Sequence, residues 1–153
     1  MTTHPKTLAL DNQLCFAFYS VSHAFNRAYR KLLEPLGLTY PQYVVLLVLW
    51  EQDELTVKEI GERLFLDSGT LTPLLKRLES AGHVRRTRDT KDERQVRIHL
   101  TESGRVLRGK AEEVPHQVGC MLGMSADEAR ALTREVAKLR GRLHDSATLS
   151  PDT

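Results

Sequence analysis

Cysteine is scarce in this chain of 153 residues: only Cys15 and Cys120 occur. Two thiols make no disulfide framework, and no CxxC pair is present to hold zinc. The histidines (His4, His23, His83, His99, His116 and His144) are scattered without ligand spacing. Neither a glycine-rich phosphate loop nor a nucleophile elbow occurs. No metal and no cofactor are therefore expected, and classical metal- or nucleotide-dependent enzymes become less favoured readings. Long apolar runs are missing too. The longest, from Tyr43 to Trp50, is far short of the ~18 residues that a membrane span needs. The N-terminus lacks a cationic start followed by an apolar block, so no secretion signal is read and a cytoplasmic location is expected. Hydrophobic residues at 41% and charged residues at 27% are close to a globular average, which argues against disorder.

A large charge of one sign is also absent, since 22 basic and 20 acidic residues leave a net +2. The distribution says more than the total. Between Ser68 and Thr101 lie eight basic residues (Lys76, Arg77, Arg85, Arg86, Arg88, Lys91, Arg94, Arg97) against four acidic ones (Glu79, Asp89, Asp92, Glu93). That stretch is +4 and the rest of the chain −2. Such a local excess marks either a nucleic-acid surface or a solvated face.

Periodicity organises the chain. Residues 1–7 read as a polar lead-in. Leu10, Leu14, Phe18, Val21, Phe25 and Leu32 then form a helical stripe, with Asp11 or Asn12 as its cap and Pro35 and Gly37 as its end. Thr39-Tyr-Pro41 opens a second, mostly apolar helix that runs to Trp50 and is expected to be buried. Thr56-Val-Lys-Glu59 is a capping box, with Leu55 and Ile60 placed as a hydrophobic staple. Asp67 and Ser68 can cap a fourth helix with the stripe Leu71, Leu74, Leu75, Leu78, stopped by Gly82. The period then changes to two. Val84–Arg88 and Gln95–Leu100 read as a hairpin joined by the polar tip Asp89–Arg94. Beyond it, Leu107, Ala111, Val114, Val118 and Leu122 form a helical stripe expected to bend at Pro115. A second capping box, Ser125-Ala-Asp-Glu128, starts a last helix with the stripe Ala129, Leu132, Val136, Leu139, Leu143. The fold class is thus mainly α with a small β-hairpin wing.

Short helix, tight turn, second helix and hairpin, in that order, make a winged helix-turn-helix. Such a unit can place its second helix in a DNA major groove, although the same geometry also occurs in proteins that bind no nucleic acid. With the leucines inward, the other side of that helix carries Ser68, Thr70, Thr72, Lys76 and Arg77. These are hydroxyls for base edges or phosphates, and cations for the backbone. The hairpin adds Arg86, Arg88, Arg94 and Arg97. Arg94 at the tip is long enough to probe a minor groove, with Asp92 to brace it. An ordinary α+β domain with a charged hairpin is the competing reading; the order of caps, stop glycine and basic hairpin favours DNA.

Cys15 lies near the start of the first helix. It is read either as a small buried hydrophobe or as a thiol whose anion is favoured by unpaired amides and the helix dipole. Cys15, Tyr19, Ser22 and Tyr29 share one flank. Tyr29 lies about 21 Å along a straight helix from Cys15, so the two cannot touch within one chain. Two copies of the helix crossing antiparallel near Ser22 would bring Tyr29 of one to Cys15 of the other, which requires a symmetric dimer. Around Cys120, Pro115, Gly119 and Gly123 weaken the helix interior, and this segment is expected to unravel readily.

These residues carry a resemblance. Asp92-Glu-Arg94 leading to Leu100-Thr101 resembles the wing of the MarR family of transcriptional regulators. Asp11-Asn-Gln-Leu-Cys15-Phe, Thr39-Tyr-Pro-Gln-Tyr43 and Leu66-Asp-Ser-Gly-Thr-Leu-Thr-Pro73 resemble its organic hydroperoxide resistance branch, in the subgroup with two cysteines. The likeness runs from about Leu10 to Leu143. It implies a homodimeric repressor, not an enzyme, that binds pseudo-palindromic double-stranded operator DNA and is released by organic hydroperoxide. It implies Cys15 as the peroxidatic cysteine, with Tyr29 and Tyr40 bonding it from the other subunit and Tyr19 nearby. It implies Cys120 as the resolving cysteine, and Arg94 with Asp92 as the wing-tip pair. Residues 1–153 are then one domain, with 55–101 as the winged helix-turn-helix and 8–34 and 102–147 as dimerisation helices. Two alternatives compete: a repressor controlled by a phenolic ligand, with inert cysteines, and a thiol peroxidase.

Overall fold

Caps and breakers decide where this chain turns. The computed structural model describes residues 6–148; of the lead-in expected over residues 1–7, the first five lie outside the described residues. Short 3₁₀ turns at Lys6–Leu8 and Leu10–Asn12 precede the first helix, α1 (Leu14–Leu33). Neither Asp11 nor Asn12 caps it. The extended N-cap residue is Gln13, and its side chain makes no capping bond. The amide of Gln13 donates back to the Thr7 and Ala9 carbonyls instead. The preceding 3₁₀ turn has pushed the helix start past the acidic residue. A 3₁₀ turn at Glu34–Leu36 and Gly37 at φ 68° end α1 as expected.

Helix α2 (Tyr40–Glu51) is capped by Thr39, whose hydroxyl accepts from the Gln42 amide while the Gln42 side chain accepts from Thr39. It supplies the centre of the core: Tyr43, Val45, Leu46, Val48 and Leu49 are buried. The box at Thr56 and Glu59 closes as read, at 2.7 and 3.2 Å, and starts α3 (Val57–Leu64). Its staple residues Leu55 and Ile60 are both buried. Phe65 in the left-handed region makes the tight turn into α4 (Ser68–Ser80). Asp67 caps α4 through the Thr70 amide at 2.7 Å. Leu71, Leu75 and Leu78 turn inward, each worth roughly 1.5–3 kcal/mol of burial. At the other end, Gly82 (φ 80°) donates to Glu79 and His83 donates to Leu78, satisfying the last carbonyls.

The wing is β1 (Val84–Arg88) paired antiparallel with β2 (Val96–Leu100), Val84 opposite Leu100 and Arg88 opposite Val96. The second strand is one residue shorter than read, because the Gln95 amide turns to the Asp92 carbonyl at 2.9 Å and belongs to the tip. The segment before α3 adds a further rung, with Ile98 donating to Leu55 at 2.8 Å. Thr101 caps α5 (Glu102–Ala111). Gly104 lets α5 lie against the chain, since a Cβ there would sit 2.2 Å from the His83 carbonyl oxygen. Trp50 donates to the Gly104 carbonyl at 2.9 Å.

The expected bend comes earlier than Pro115. Helix α5 ends at Ala111, Glu112 is a turn, and α6 (Glu113–Leu122) begins with Pro115 inside its first turn. Proline removes the amide that would bond the carbonyl four residues back and clashes with that carbonyl, so the break falls there. Chain contacts divide the molecule into Met1–Val114 and Pro115–Thr153. The second unit holds most of α6 and then α7 (Ala126–Thr148), started by the Ser125–Glu128 box at 2.8 and 3.2 Å. Gly123 at φ 61° ends α6. Among the described residues, no single helix is long and apolar enough to cross a membrane.

Candidate nucleic-acid interface and thiol site

With its leucines inward, α4 presents Ser68, Thr70, Lys76 and Arg77 exposed, and Thr72 half-buried. Lys76 and Arg77 have no ion-pair partner among the described residues. The wing tip is held from within. Asp92 accepts from the Arg94 backbone amide and from its guanidinium, both at 3.1 Å. The Arg94 bonds hold the Asp92 carboxyl below its ordinary range. The Arg94 side chain itself is 92% exposed. A cation that is braced at its base and bare at its end suits insertion into a groove of high negative potential.

Two other arginines of the hairpin are engaged within the protein. Arg86 donates through Nε to Glu79 at 2.7 Å, and its amide donates to the same carboxylate at 3.0 Å. Arg97 pairs with buried Asp89 at 3.3 Å and donates to the Glu54 carbonyl. On the same face His99 meets the Thr87 hydroxyl at 2.8 Å. Asp53 accepts from the Leu100 amide at 2.8 Å and from Arg105 at 3.2 Å. Together these bonds fasten the wing to α4, to the α2–α3 turn and to α5.

Cys15 occupies the first turn of α1 and is exposed. Its N-cap residue, Gln13, makes no side-chain capping bond. Within this chain Cys15 is therefore not a buried hydrophobe. Tyr19 lies one turn on, edge-on to His23 with centroids 4.4 Å apart. Tyr29 does not reach Cys15. It packs with Tyr40 at 4.5 Å and Tyr43 at 5.9 Å. Burial, with Tyr40 and Tyr43 beside it, pushes the Tyr29 phenol up to about 12, and burial raises Tyr40 as well. Both hydroxyls thus keep their protons at neutral pH and can donate hydrogen bonds. Cys120 is also a free, exposed thiol, in the last turn of α6.

Comparison with known proteins completes this picture. Residues 27–110 match the family model "Transcriptional regulator SarA/Rot". The chain is similar to the HTH-type transcriptional regulator TtmR of Methylorubrum extorquens, 65% identical over 91% of this chain and 71% of that protein. It is 50% identical to the organic hydroperoxide resistance transcriptional regulator of Bacillus subtilis, over 82% of this chain and 83% of the relative. The chain belongs to the MarR/SarA family of transcriptional regulators. It is accordingly a regulator and not an enzyme. Among solved structures, reduced AbfR bound to DNA superimposes with a TM-score of 0.72 at 40% identity, over 90% of this chain and 96% of that one. A disulfide-formed AbfR gives 0.59 at 40% identity, over 88% and 94%. AbfR comes from Staphylococcus epidermidis.

In this MarR/SarA regulator the sequence-predicted site residues fall into separate places. Ser68, Thr70, Thr72, Lys76 and Arg77 share α4, and Arg94 with Asp92 forms the wing tip. Tyr29 and Tyr40 come together, while Cys15 and Tyr19 stand apart from them on α1. Sequence reasoning missed Tyr43 as the third ring of the cluster, although it lies one turn after Tyr40. It also missed Glu79, Asp89 and Asp53 as partners of the wing, because contacts between elements leave no periodic signal.

Proposed function

We propose that this regulator is a repressor switched by organic hydroperoxide through Cys15. The observation that carries the reading is an exposed thiol in the first turn of a twenty-residue helix whose N-cap residue makes no side-chain capping bond. The reduced dimer binds pseudo-palindromic operator DNA, with α4 in the major groove through Ser68, Thr70, Thr72, Lys76 and Arg77. Arg94, braced by Asp92, enters the adjacent minor groove. Support comes from the bare wing-tip guanidinium, from AbfR solved on DNA, and from the name of the Bacillus subtilis relative.

In the switching step the Cys15 thiolate attacks the distal oxygen of the hydroperoxide. The O–O bond breaks, the alkoxide leaves and takes a proton as the alcohol, and Cys15 becomes a sulfenic acid. Tyr29 and Tyr40 of the second subunit donate hydrogen bonds to the thiolate and orient the peroxide. The Cys120 thiolate of the other subunit then attacks the sulfenic sulfur, releasing hydroxide and closing an intersubunit disulfide. Thiols whose α-carbons lie beyond ~7 Å cannot bond without backbone movement. Closing that bond shifts the dimer helices and spoils the match of the two α4 helices to half-sites about 34–36 Å apart. AbfR, 40% identical to this chain, has been solved in a disulfide-formed state, which supports a redox reading.

The test is operator binding before and after organic hydroperoxide. Wild type is expected to release DNA; Cys15→Ser is expected to bind normally and ignore peroxide. On a non-reducing gel the oxidised wild type runs as a covalent dimer that Cys120→Ser does not form. Peroxide release of Cys15→Ser places the sensor elsewhere, and wild-type release without a covalent dimer removes the disulfide step.

A further inference from the structure

We propose that Arg86 is a positioning residue. With Glu79 it locks the wing to α4, so that the helix and the wing tip meet DNA as one body, and it makes no DNA contact of its own. The inference rests on the DNA-binding reading above and adds a division of labour among the arginines.

The carboxylate of Glu79 takes two donors from one residue: the Arg86 amide at 3.0 Å and its Nε at 2.7 Å. Glu79 lies in the last turn of α4, and Arg86 is the middle residue of β1. Between them runs the turn Ala81–His83, whose Gly82 has a left-handed backbone. The only covalent link from helix to wing is therefore a short turn, and the carboxylate bridges it. The amide of Arg86 is a donor that β2 does not take, so Glu79 also closes the outer edge of β1. Both side chains are about one-third exposed. Charge-assisted, two-point bonding of this kind is stronger and more directional than a neutral hydrogen bond.

The alternative role, a phosphate contact, requires the guanidinium to share or abandon that carboxylate. Exposed neighbours carry no such obligation. Lys76, Arg77, Arg85, Arg88 and Lys91 are exposed and unpaired among the described residues. The geometry that does need Arg86 is the angle between α4 and the hairpin. A helix in the major groove and Arg94 in the minor groove must be reached at once, and the hairpin has no apolar core of its own at its tip.

A duplex selected by the wild type from a random DNA pool serves as probe, titrated at several salt concentrations. Glu79→Ala and Arg86→Ala are each expected to weaken binding about tenfold, the scale of a lost charge-assisted bond. The double variant is expected to be no worse than either single. The slope of log K against log salt should stay unchanged in all three, while Arg77→Ala flattens it by about one. Glu79→Ala binding as tightly as wild type, with Arg86→Ala flattening the slope, makes Arg86 a phosphate contact and overturns the proposal. Hydrogen exchange in the DNA-free protein reads the clamp separately. The Arg86 amide should be protected in the wild type and lose protection in Glu79→Ala; an unprotected wild-type amide overturns the clamp whatever the DNA result. A wild type that selects no duplex ends the DNA-binding reading and the positioning role with it, while the exchange result still reports the clamp.

Discussion

In the winged segment, Leu71, Leu75, Leu78, Val84 and Ile98 are all 2% exposed or less, whereas the stripe of α7 leaves Leu132 at 53% and Leu143 at 64%. The first half of α1 behaves like α7, with Leu14, Tyr19 and Val21 all exposed. Polar bonding divides the same way. In the winged segment Glu79–Arg86, Asp89–Arg97 and Asp53–Leu100 join different elements. On α7, Arg130–Asp127 and Lys138–Glu135 join adjacent turns of one helix, each worth only ~0.2–0.5 kcal/mol. One region completes its packing within the chain. The other leaves apolar side chains exposed, the faces that the proposed dimer would cover.

The sharpest way to break this contrast is to truncate one leucine on each side of it. Leu78→Ala empties a closed core and is expected to cost about 2–5 kcal/mol in urea unfolding. Leu132→Asp, on the open face, is expected to leave the fold of the winged segment intact and shift the protein toward monomer in sedimentation. If Leu132→Asp sediments like wild type, the α7 face is not an interface. If Leu78→Ala unfolds like wild type, the core assignment fails.

Within the winged segment itself the contrast is between tied and bare arginines. Arg94→Ala removes a side chain that is 92% exposed. It is expected to lower operator affinity by about 1–3 kcal/mol, the scale of a good groove contact. The thermal midpoint should not move, since only the Asp92 carboxylate is left behind. Unchanged affinity at matched salt removes the wing tip from the interface.

What was legible in the sequence follows the range of the interaction. The Thr56, Asp67 and Ser125 caps, the Gly82 stop and the hairpin rest on contacts three or four residues apart, or on a change of period, and all were readable. The Asp11 cap was misplaced because Gln13 bonds back into a preceding 3₁₀ turn, and the Pro115 bend because proline acts on the carbonyl four residues before it. The arginines of the hairpin look alike in sequence. Only packing separates Arg86 and Arg97, which hold the wing, from Arg94, which points away. The same limit applies to the thiol site: the spacing of Cys15 and Tyr29 says they cannot meet in one chain, but nothing local says that Tyr43 joins Tyr29 and Tyr40.

The smallest expected effect, and the finest test of the contrast, uses two capping boxes with the same chemistry. Glu59 and Glu128 both have carboxyl pKa values lowered, first by the bond from the backbone amide of their cap residues, Thr56 and Ser125. A lowered folded-state pKa gives stability that is present above the ordinary carboxylate range and fades as pH falls through the folded value. Thr56→Ala is expected to cost about 1 kcal/mol of whole-chain stability, because Thr56 is buried at 4% exposure and its helix is packed into the core. Ser125→Ala removes the same kind of cap from a helix with open faces, so fraying of α7 is expected with little change in the unfolding midpoint of the winged segment. Urea unfolding followed at Trp50, which bonds to α5, reads the first region; hydrogen exchange along α7 reads the second. As pH falls through the folded-state value of Glu59, the difference between Thr56→Ala and wild type should narrow only by the bond that the Thr56 hydroxyl donates to that carboxylate. The residue-56 amide bond is lost from both proteins, and the bond the hydroxyl accepts from the Glu59 amide does not titrate. Equal costs for the two variants at neutral pH would mean that α7 is as tightly integrated as α3, and the contrast between the two regions would be lost.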